Sequence, residues 1–267
     1  MTNNYKKAYQ EIESKILSDT YLTKSVDLIA LLGSVSDKEV SLGWSDLDVL
    51  VVLKTDKLGN IAIKNLKKLR MIALKISKTY SFPISILSHS IDDLEKYVSF
   101  EYLKHYSLGE CTYPSRSYLK QKIEKILKSR NVDDLSRKAY CVYHIRHSRF
   151  NLLRKFVSLN ACNTKNYKKD FAKLLIDKMI KVTDLALNYK NIWPKTKVGI
   201  LSKAFQHLNV DTIPLRMAFD IREKWIEITD KEIDLFEDIG IKYIIDVSNL
   251  VLSDYQNSTP EERMSSI

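Results

Sequence analysis

The sequence has few cysteines and no spacing that would put them to use. Its 267 residues include three cysteines, at Cys111, Cys141 and Cys162, and none of them forms a Cys-x-x-Cys pair. A small odd number without that spacing argues against a disulfide framework and against a structural zinc site. The composition therefore predicts a protein of a reducing compartment.

Long apolar runs are missing as well. No run approaches the roughly 20 residues that a helix needs to span a bilayer, although apolar residues make up 45% of the chain. The first stretch, MTNNYKKAYQEIESKIL, carries charges throughout and lacks the apolar segment of a signal peptide. We therefore expect a cytoplasmic protein without a membrane partner, with enough apolar residues to bury a full core.

Acidic residues are scarce in the middle of the chain. The net charge is +10 overall, but residues 117–190 hold 18 Lys and Arg against 6 Asp and Glu, a net of +12. Residues 1–116 hold 16 against 14, and residues 191–267 hold 9 against 13. Such a concentrated field predicts a polyanionic partner, either a nucleoside triphosphate or RNA. The alternative is an ordinary solvated surface of a lysine-rich chain.

The apolar pattern predicts an α+β fold in two domains, 1–116 and 117–267. In the first domain the expected elements are a helix at 5–19, strands at 25–33, 46–53, 82–88 and 109–115, and helices at 60–80 and 91–109. After residue 117 only helical periodicity remains, at 117–129, 132–159, 167–189, 197–208, 212–228 and 231–254. Strands followed by helices indicate a mixed α and β domain and then an all-α helical bundle.

Two aspartates open the second predicted strand. Side chains at i and i+2 of a strand point to the same face, so Asp46 and Asp48 project together. Adjacent carboxylates repel one another unless a cation lies between them, and Mg²⁺ or Mn²⁺ takes such hard oxygen ligands together with substrate phosphate. Gly33 and Ser34 follow the first strand, where a glycine lets a backbone N–H approach a phosphate and the hydroxyl adds a donor. This combination predicts metal-dependent chemistry on a nucleoside triphosphate.

The motif resembles that of a known superfamily. Gly33-Ser34, eleven residues, and Asp46-Leu47-Asp48 preceded by Ser45 are similar to the GS…DxD signature of the DNA polymerase beta-like nucleotidyltransferases. The resemblance covers about the first 115 residues. It implies a mixed sheet flanked by helices, a nucleotide bound at Gly33, Ser34 and Ser45, and Mg²⁺ held by Asp46 and Asp48. The helical remainder is similar to the bundles of small-molecule, antibiotic-type nucleotidyltransferases.

One position departs from that signature. The superfamily usually places a third carboxylate on the later strand, as a metal ligand or a general base, whereas the segment FPISILS has Ser85 there. Serine is a poor Mg²⁺ ligand and takes no proton at neutral pH. Three explanations stay open at this point: another strand alignment, a base supplied elsewhere, or a chain that binds nucleotide without turning it over. The candidate bases nearby in sequence are His89, Glu101, His105 and Glu110.

A basic helix supplies further candidate ligands. Arg137, Tyr140 and His144 recur at helical spacing and predict a face that stacks a base and holds phosphates. The spacing of Arg137 and His144 also resembles the Arg-x(4–6)-His pattern of bundle ribonucleases. Lys195 and Lys197, at the entry to a later helix, are expected to reach a triphosphate. The alternative for each is a core or solvated side chain.

These observations predict an Mg²⁺-dependent enzyme that transfers a nucleoside monophosphate from an NTP, with ATP as the expected donor. The hydroxyl acceptor is left open between a small molecule, an RNA and a protein. The alternative is a degenerate relative that binds nucleotide or RNA as a sensor or regulator, as Ser85 suggests. A third hypothesis gives the bundle a role in assembly, with a homodimer through the helical domain.

Overall fold

The computed structural model of the chain divides into two compact units, Met1–Asn131 and Val132–Ile267. The residues that it describes are 2–36, 39–41, 43–57, 59–91, 111–112, 134–159, 167–194 and 196–257. The predicted boundary between residues 116 and 117 lies outside these ranges, as do the helix predicted at 117–129 and nearly all of the one at 91–109. Among the described residues, no helix is both long and apolar enough to cross a membrane.

The first unit combines helices with a mixed sheet. Its described elements are α1 (Thr2–Ser18), α2 (Leu22–Ser25), β1 (Val26–Leu32), α3 (Gly33–Ser36), β2 (Leu47–Leu53), α4 (Ile63–Tyr80), β3 (Ile84–His89) and β4 (Cys111–Thr112). The described strands lie in the order β3-β2-β1-β4. β1 pairs antiparallel with both β2 and β4, whereas β2 pairs parallel with β3. The predicted α+β class and the mixed character of the sheet are therefore confirmed.

One face of this sheet is covered by α1 and α4. Leu47, Val49 and Val51 of β2 are fully buried in a cluster with residues of both helices. The alternation of the strand explains this, because the residues between them point to the opposite face. The sequence-based expectation that the apolar residues after Asp46 would pack against helices is met. The carboxylate of Asp48 consequently points away from the α1–α4 layer.

Local signals set the ends of these elements. α4 ends at Ser81, which adopts a left-handed conformation with φ of 58° and donates its N–H to the Ser77 carbonyl. Leu47 N then bonds to the Pro83 carbonyl at 3.0 Å, so the chain entering β3 is tied to the first residue of β2. This bond fixes where the parallel pairing of β2 and β3 begins.

All the secondary-structure elements that are described in the second unit are helices. They are α5 (Asp134–Leu159), α6 (Tyr167–Tyr189), α7 (Lys197–His207), α8 (Ile213–Glu223) and α9 (Asp230–Asn257). α6 is the central helix and contacts each of the other helices. α9 crosses it closely at Gly240, where an added Cβ would lie 2.9 Å from Leu175 Cδ2. α9 begins with a capping box in which Thr229 and Glu232 bond to each other's backbone N–H groups.

Candidate functional site

The turn after β1 brings backbone directly against a carboxylate. Gly33 has φ of +66°, a conformation that L side chains rarely adopt. A Cβ added there would overlap the Asp48 carboxylate oxygen and lie 3.3 Å from Asp48 Cγ. The glycine is therefore needed for two reasons, its backbone angle and the close approach of Asp48. Ser34 follows in the same turn and is buried, so the Gly-Ser pair and the second aspartate of the motif belong to one local structure.

Ser85 lies beside Asp48 on the neighbouring strand. The parallel register pairs Asp48 with Ser85 and Val49 with Ile86. Paired residues of adjacent strands point to the same side of the sheet, and the strands lie roughly 4.8 Å apart. The structure therefore places Ser85 next to Asp48, a register that the sequence did not predict. The place opposite Asp48 is occupied by a hydroxyl group and not by a carboxylate.

The loop that leads into Asp46 is closed by its own hydrogen bonds. Ser45 Oγ accepts the N–H of Ser41 at 2.9 Å, and Ser45 N–H bonds to the Ser41 carbonyl at 2.9 Å. Tyr5 of α1 donates its hydroxyl to the Ser45 carbonyl at 2.9 Å. Ser45, proposed from the sequence as a nucleotide ligand, thus shapes the loop. Trp44 is buried in the same loop, 5% exposed.

Asp46 is half-buried and immediately precedes the first residue of β2. Its carboxylate affects Tyr5: burial of the phenol raises the Tyr5 pKa, and the negative charge of Asp46 raises that pKa further. The Tyr5 ring is in turn stacked on Phe82, with centroids 4.1 Å apart. Asp46 therefore stands at the end of the sheet where the loop, α1 and the entry to β3 meet.

Of the four candidate general bases, only His89 belongs to the described residues. His89 pairs with Val52, four residues along β3 from Ser85. At about 3.3 Å per residue this places it roughly 13 Å from the Asp48 position, too far for a shared proton transfer. Glu101, His105 and Glu110 lie outside the described residues.

Arg137 is buried in the second unit, where its guanidinium bonds to backbone carbonyls of α6. It is 4% exposed, and it donates to the Asn188 carbonyl, to the Tyr189 carbonyl at 2.6 Å and to the Asp134 carboxylate. The two carbonyls are at the end of α6, where a helix has no internal donors left. Burial lowers the pKa of Arg137. The residue expected to hold phosphates is instead engaged in capping α6.

The rest of the predicted basic face is partly assembled. The rings of Tyr140 and His144 are in contact, with centroids 4.2 Å apart. Lys197 is half-buried at the first position of α7, whose preceding residue Thr196 accepts the Gly199 N–H at 3.0 Å. Lys195 lies outside the described residues. The structure thus joins Tyr140 to His144 within one helix face, from which the Arg137 guanidinium turns inward.

Replacing Arg137 by methionine is expected to lower the free energy of unfolding by about 2–4 kcal/mol, because the Tyr189 carbonyl loses the guanidinium donor and the Asn188 carbonyl keeps only the Asn191 N–H. Arg137→Lys is expected to have a free energy of unfolding between those of the wild type and Arg137→Met, since an ammonium cannot reproduce the planar fork of a guanidinium. Urea unfolding measures both. The control is Arg146→Met, because Arg146 is exposed and its replacement should change the free energy of unfolding little. If Arg137→Met lowered the free energy of unfolding no more than Arg146→Met does, the capping function of Arg137 would be contradicted.

Comparison with known proteins does not assign the chain. No protein-family model matches it, and no curated protein has a similar sequence. Within the described ranges, no group of three or more His, Cys, Asp and Glu side chains is placed to hold a metal ion. The motif itself, with Gly33, Ser34, Asp46 and Asp48 around the ends of β1 and β2, therefore carries the functional argument.

Proposed function

We propose that the chain is a nucleotidyltransferase with a polymerase beta-like core, which binds a nucleoside triphosphate and Mg²⁺ where β1 and β2 are joined. The observation that carries the proposal is the contact between Gly33 and Asp48. A glycine with positive φ, followed by a serine, lies under a carboxylate at a distance that no side chain at position 33 would permit. This arrangement places a turn that is able to bind phosphate beside a carboxylate that is able to bind Mg²⁺.

The donor set fits Mg²⁺ better than a metal that needs a full protein cage. Mg²⁺ is commonly bound by one or two carboxylates, with water and substrate phosphates completing the octahedron. Asp46 and Asp48 would hold it, and a third protein ligand is not required for binding. When bound, the ion neutralises the triphosphate and stabilises the leaving pyrophosphate.

The reaction is an exchange at the α-phosphorus. An acceptor hydroxyl oxygen forms a bond to the α-phosphorus while the bond from that atom to the α–β bridging oxygen breaks. Pyrophosphate leaves with the electron pair, and the hydroxyl proton passes to water or to a basic group. Ser85 cannot accept that proton at neutral pH, because a hydroxyl is not basic enough. The Gly33 and Ser34 turn orients the triphosphate for this displacement.

A second function is favoured by Ser85 itself. A chain without the third carboxylate keeps the features for binding nucleotide and loses a group whose general-base contribution is typically about 10²–10⁴-fold. It would then act as a nucleotide-binding module with very slow turnover. The two functions share the site and differ only in whether the α-phosphorus is transferred.

A transfer assay separates them. The full chain is incubated with Mg²⁺ and each NTP labelled at the α-phosphate, in the presence of total RNA, of a small-molecule extract or of neither. The enzyme predicts label in an acceptor and an equal amount of pyrophosphate, both lost in Asp48→Asn. Asp56→Asn is the control, since Asp56 lies in an exposed turn where it accepts the Asn60 N–H. Bound nucleotide with no pyrophosphate would establish the binding module and contradict the enzyme.

A further inference from the structure

A row of aromatic and basic side chains runs along α5 in the second unit. It consists of Tyr143, Arg146, His147, Phe150 and Arg154, hereafter the α5 stripe, and all five side chains are exposed. Their spacing of three or four residues places them on one side of the helix, over roughly 17 Å. Tyr143 and Phe150 are each 63% exposed, so both rings are accessible from solvent.

The cations of the stripe have no neighbouring acid on their own helix. α5 contains six Lys and Arg and one acid, Asp134. That carboxylate is already bonded to Arg137 and to Lys138, the latter at 3.0 Å. Within the described part of the chain, neither Arg146 nor Arg154 forms an ion pair. Charge complementarity therefore points to an anionic partner.

Contacts within α5 orient the rings of Tyr143 and His147. Tyr143 and His147 are nearly parallel, at 11°, with centroids 6.0 Å apart. The His147 Nε2 atom is 2.7 Å from Asn151 Nδ2, a hydrogen bond that fixes the orientation of the imidazole. Exposed rings flanked by arginines suit unpaired bases joined by phosphates, since every base has a face for stacking.

We propose that the α5 stripe binds single-stranded RNA, with bases stacked on Tyr143 and Phe150 and phosphates held by Arg146 and Arg154. A duplex conceals the faces of its bases and would use only the arginines. A membrane-surface helix presents a continuous apolar face, whereas aromatic residues alternate with cations here. RNA would then be the acceptor class of the transfer reaction; that last step rests on the proposed function, and the binding does not.

Helix α4 provides a stringent comparison within the same chain. It carries six Lys and Arg and no acid, so it offers at least as much positive charge. Its exposed apolar side chains are aliphatic, among them Ile63 at 68% and Met71 at 65%. Aliphatic side chains provide no ring for stacking. Binding by charge alone would therefore use α4 as readily as α5, and binding by stacking would not.

The test measures fluorescence anisotropy of a labelled single-stranded RNA with the full chain over a series of salt concentrations, without nucleotide or Mg²⁺. Tyr143→Ala with Phe150→Ala is expected to weaken binding by about 30-fold or more, the usual contribution of two stacked bases, with little change in salt dependence. Arg146→Gln with Arg154→Gln is expected to reduce the slope of log K against log salt by about 1.4, at ~0.7 per phosphate contact. The control pair is Lys67→Gln with Arg70→Gln, two exposed cations of α4, and should leave binding near wild type.

The outcomes are separable from those of the nucleotide site. Equal losses for the α4 and α5 cation pairs, unchanged binding in the Tyr143 and Phe150 variant, equal affinity for duplex RNA, or tighter binding to anionic vesicles would each overturn the proposal. If the proposed nucleotide site is wrong, no NTP will change the thermal stability of the chain, and this result does not depend on whether RNA binds. Preference for single-stranded RNA over single-stranded DNA of the same sequence supports RNA as the partner, and the reverse preference overturns it.

Discussion

Ser85→Asp is expected to raise the rate of Mg²⁺-dependent pyrophosphate release by about 10²–10⁴-fold, the usual contribution of a general base. The register pairs Ser85 with Asp48, so the new carboxylate would stand on the same side of the sheet. There it is able to accept the acceptor's proton or to add a ligand to the metal. The rate is measured at saturating NTP with water or total RNA as the acceptor.

Without Mg²⁺, Ser85→Asp is expected to lower the stability of the folded chain. Two carboxylates on adjacent strands repel each other, so the folded-state pKa of the new aspartate rises above its unfolded value of about 3.9. A raised folded pKa means that stability is lost as the pH rises through it, and Mg²⁺ should restore that loss. Ser85→Asn is the matched control, with the same shape and no charge. A rate that both variants leave at the wild-type value would contradict the prediction that position 85 is the place of the missing base.

Gly33→Ala is expected to weaken binding of Mg²⁺-NTP by about 10–100-fold, the usual effect of disturbing the orientation of a metal ligand. The added Cβ overlaps the Asp48 carboxylate, so the carboxylate must move. The variant also places a side chain at φ of +66°, a strain of roughly 1–2 kcal/mol. Nucleotide affinity by calorimetry and stability by urea unfolding measure the two effects separately.

Gly59→Ala separates strain from site geometry. Gly59 also has a positive φ, +81°, but a Cβ added there meets no atom of the described residues within 4 Å. This variant should lose a similar amount of stability and keep its nucleotide affinity. If Gly33→Ala kept its affinity as well, the contact with Asp48 would have no functional meaning.

The strands could be predicted because their signals are local. The strand predicted at 46–53 is found at Leu47–Leu53 and the helix at 60–80 is found at Ile63–Tyr80. Alternation within a strand requires only neighbouring residues, so the buried face of β2 followed directly. The pairing of Asp48 with Ser85 depended on a register between segments far apart in sequence, and the structure supplied it.

The basic helix shows where local signals were insufficient. Helical spacing groups Arg137 with Tyr140 and His144, and it also groups Tyr143 with Arg146 and Phe150. Which face turns inward depends on α6, whose terminal carbonyls take the Arg137 guanidinium from 51 residues away. No pattern within α5 reveals that partner. Helical spacing alone therefore predicts that Arg137 holds phosphates, although its guanidinium bonds to α6.

Thermal stability with each NTP, with and without Mg²⁺, tests the central claim most directly. A ligand that binds only the native state must stabilise it, by about 2.7 kcal/mol at a hundred times its dissociation constant. We predict that at least one NTP stabilises the wild type and Asp56→Asn when Mg²⁺ is present, and that Asp48→Asn loses the effect. No stabilisation by any NTP, or the same stabilisation in Asp48→Asn, would contradict a metal–nucleotide site at Gly33 and Asp48.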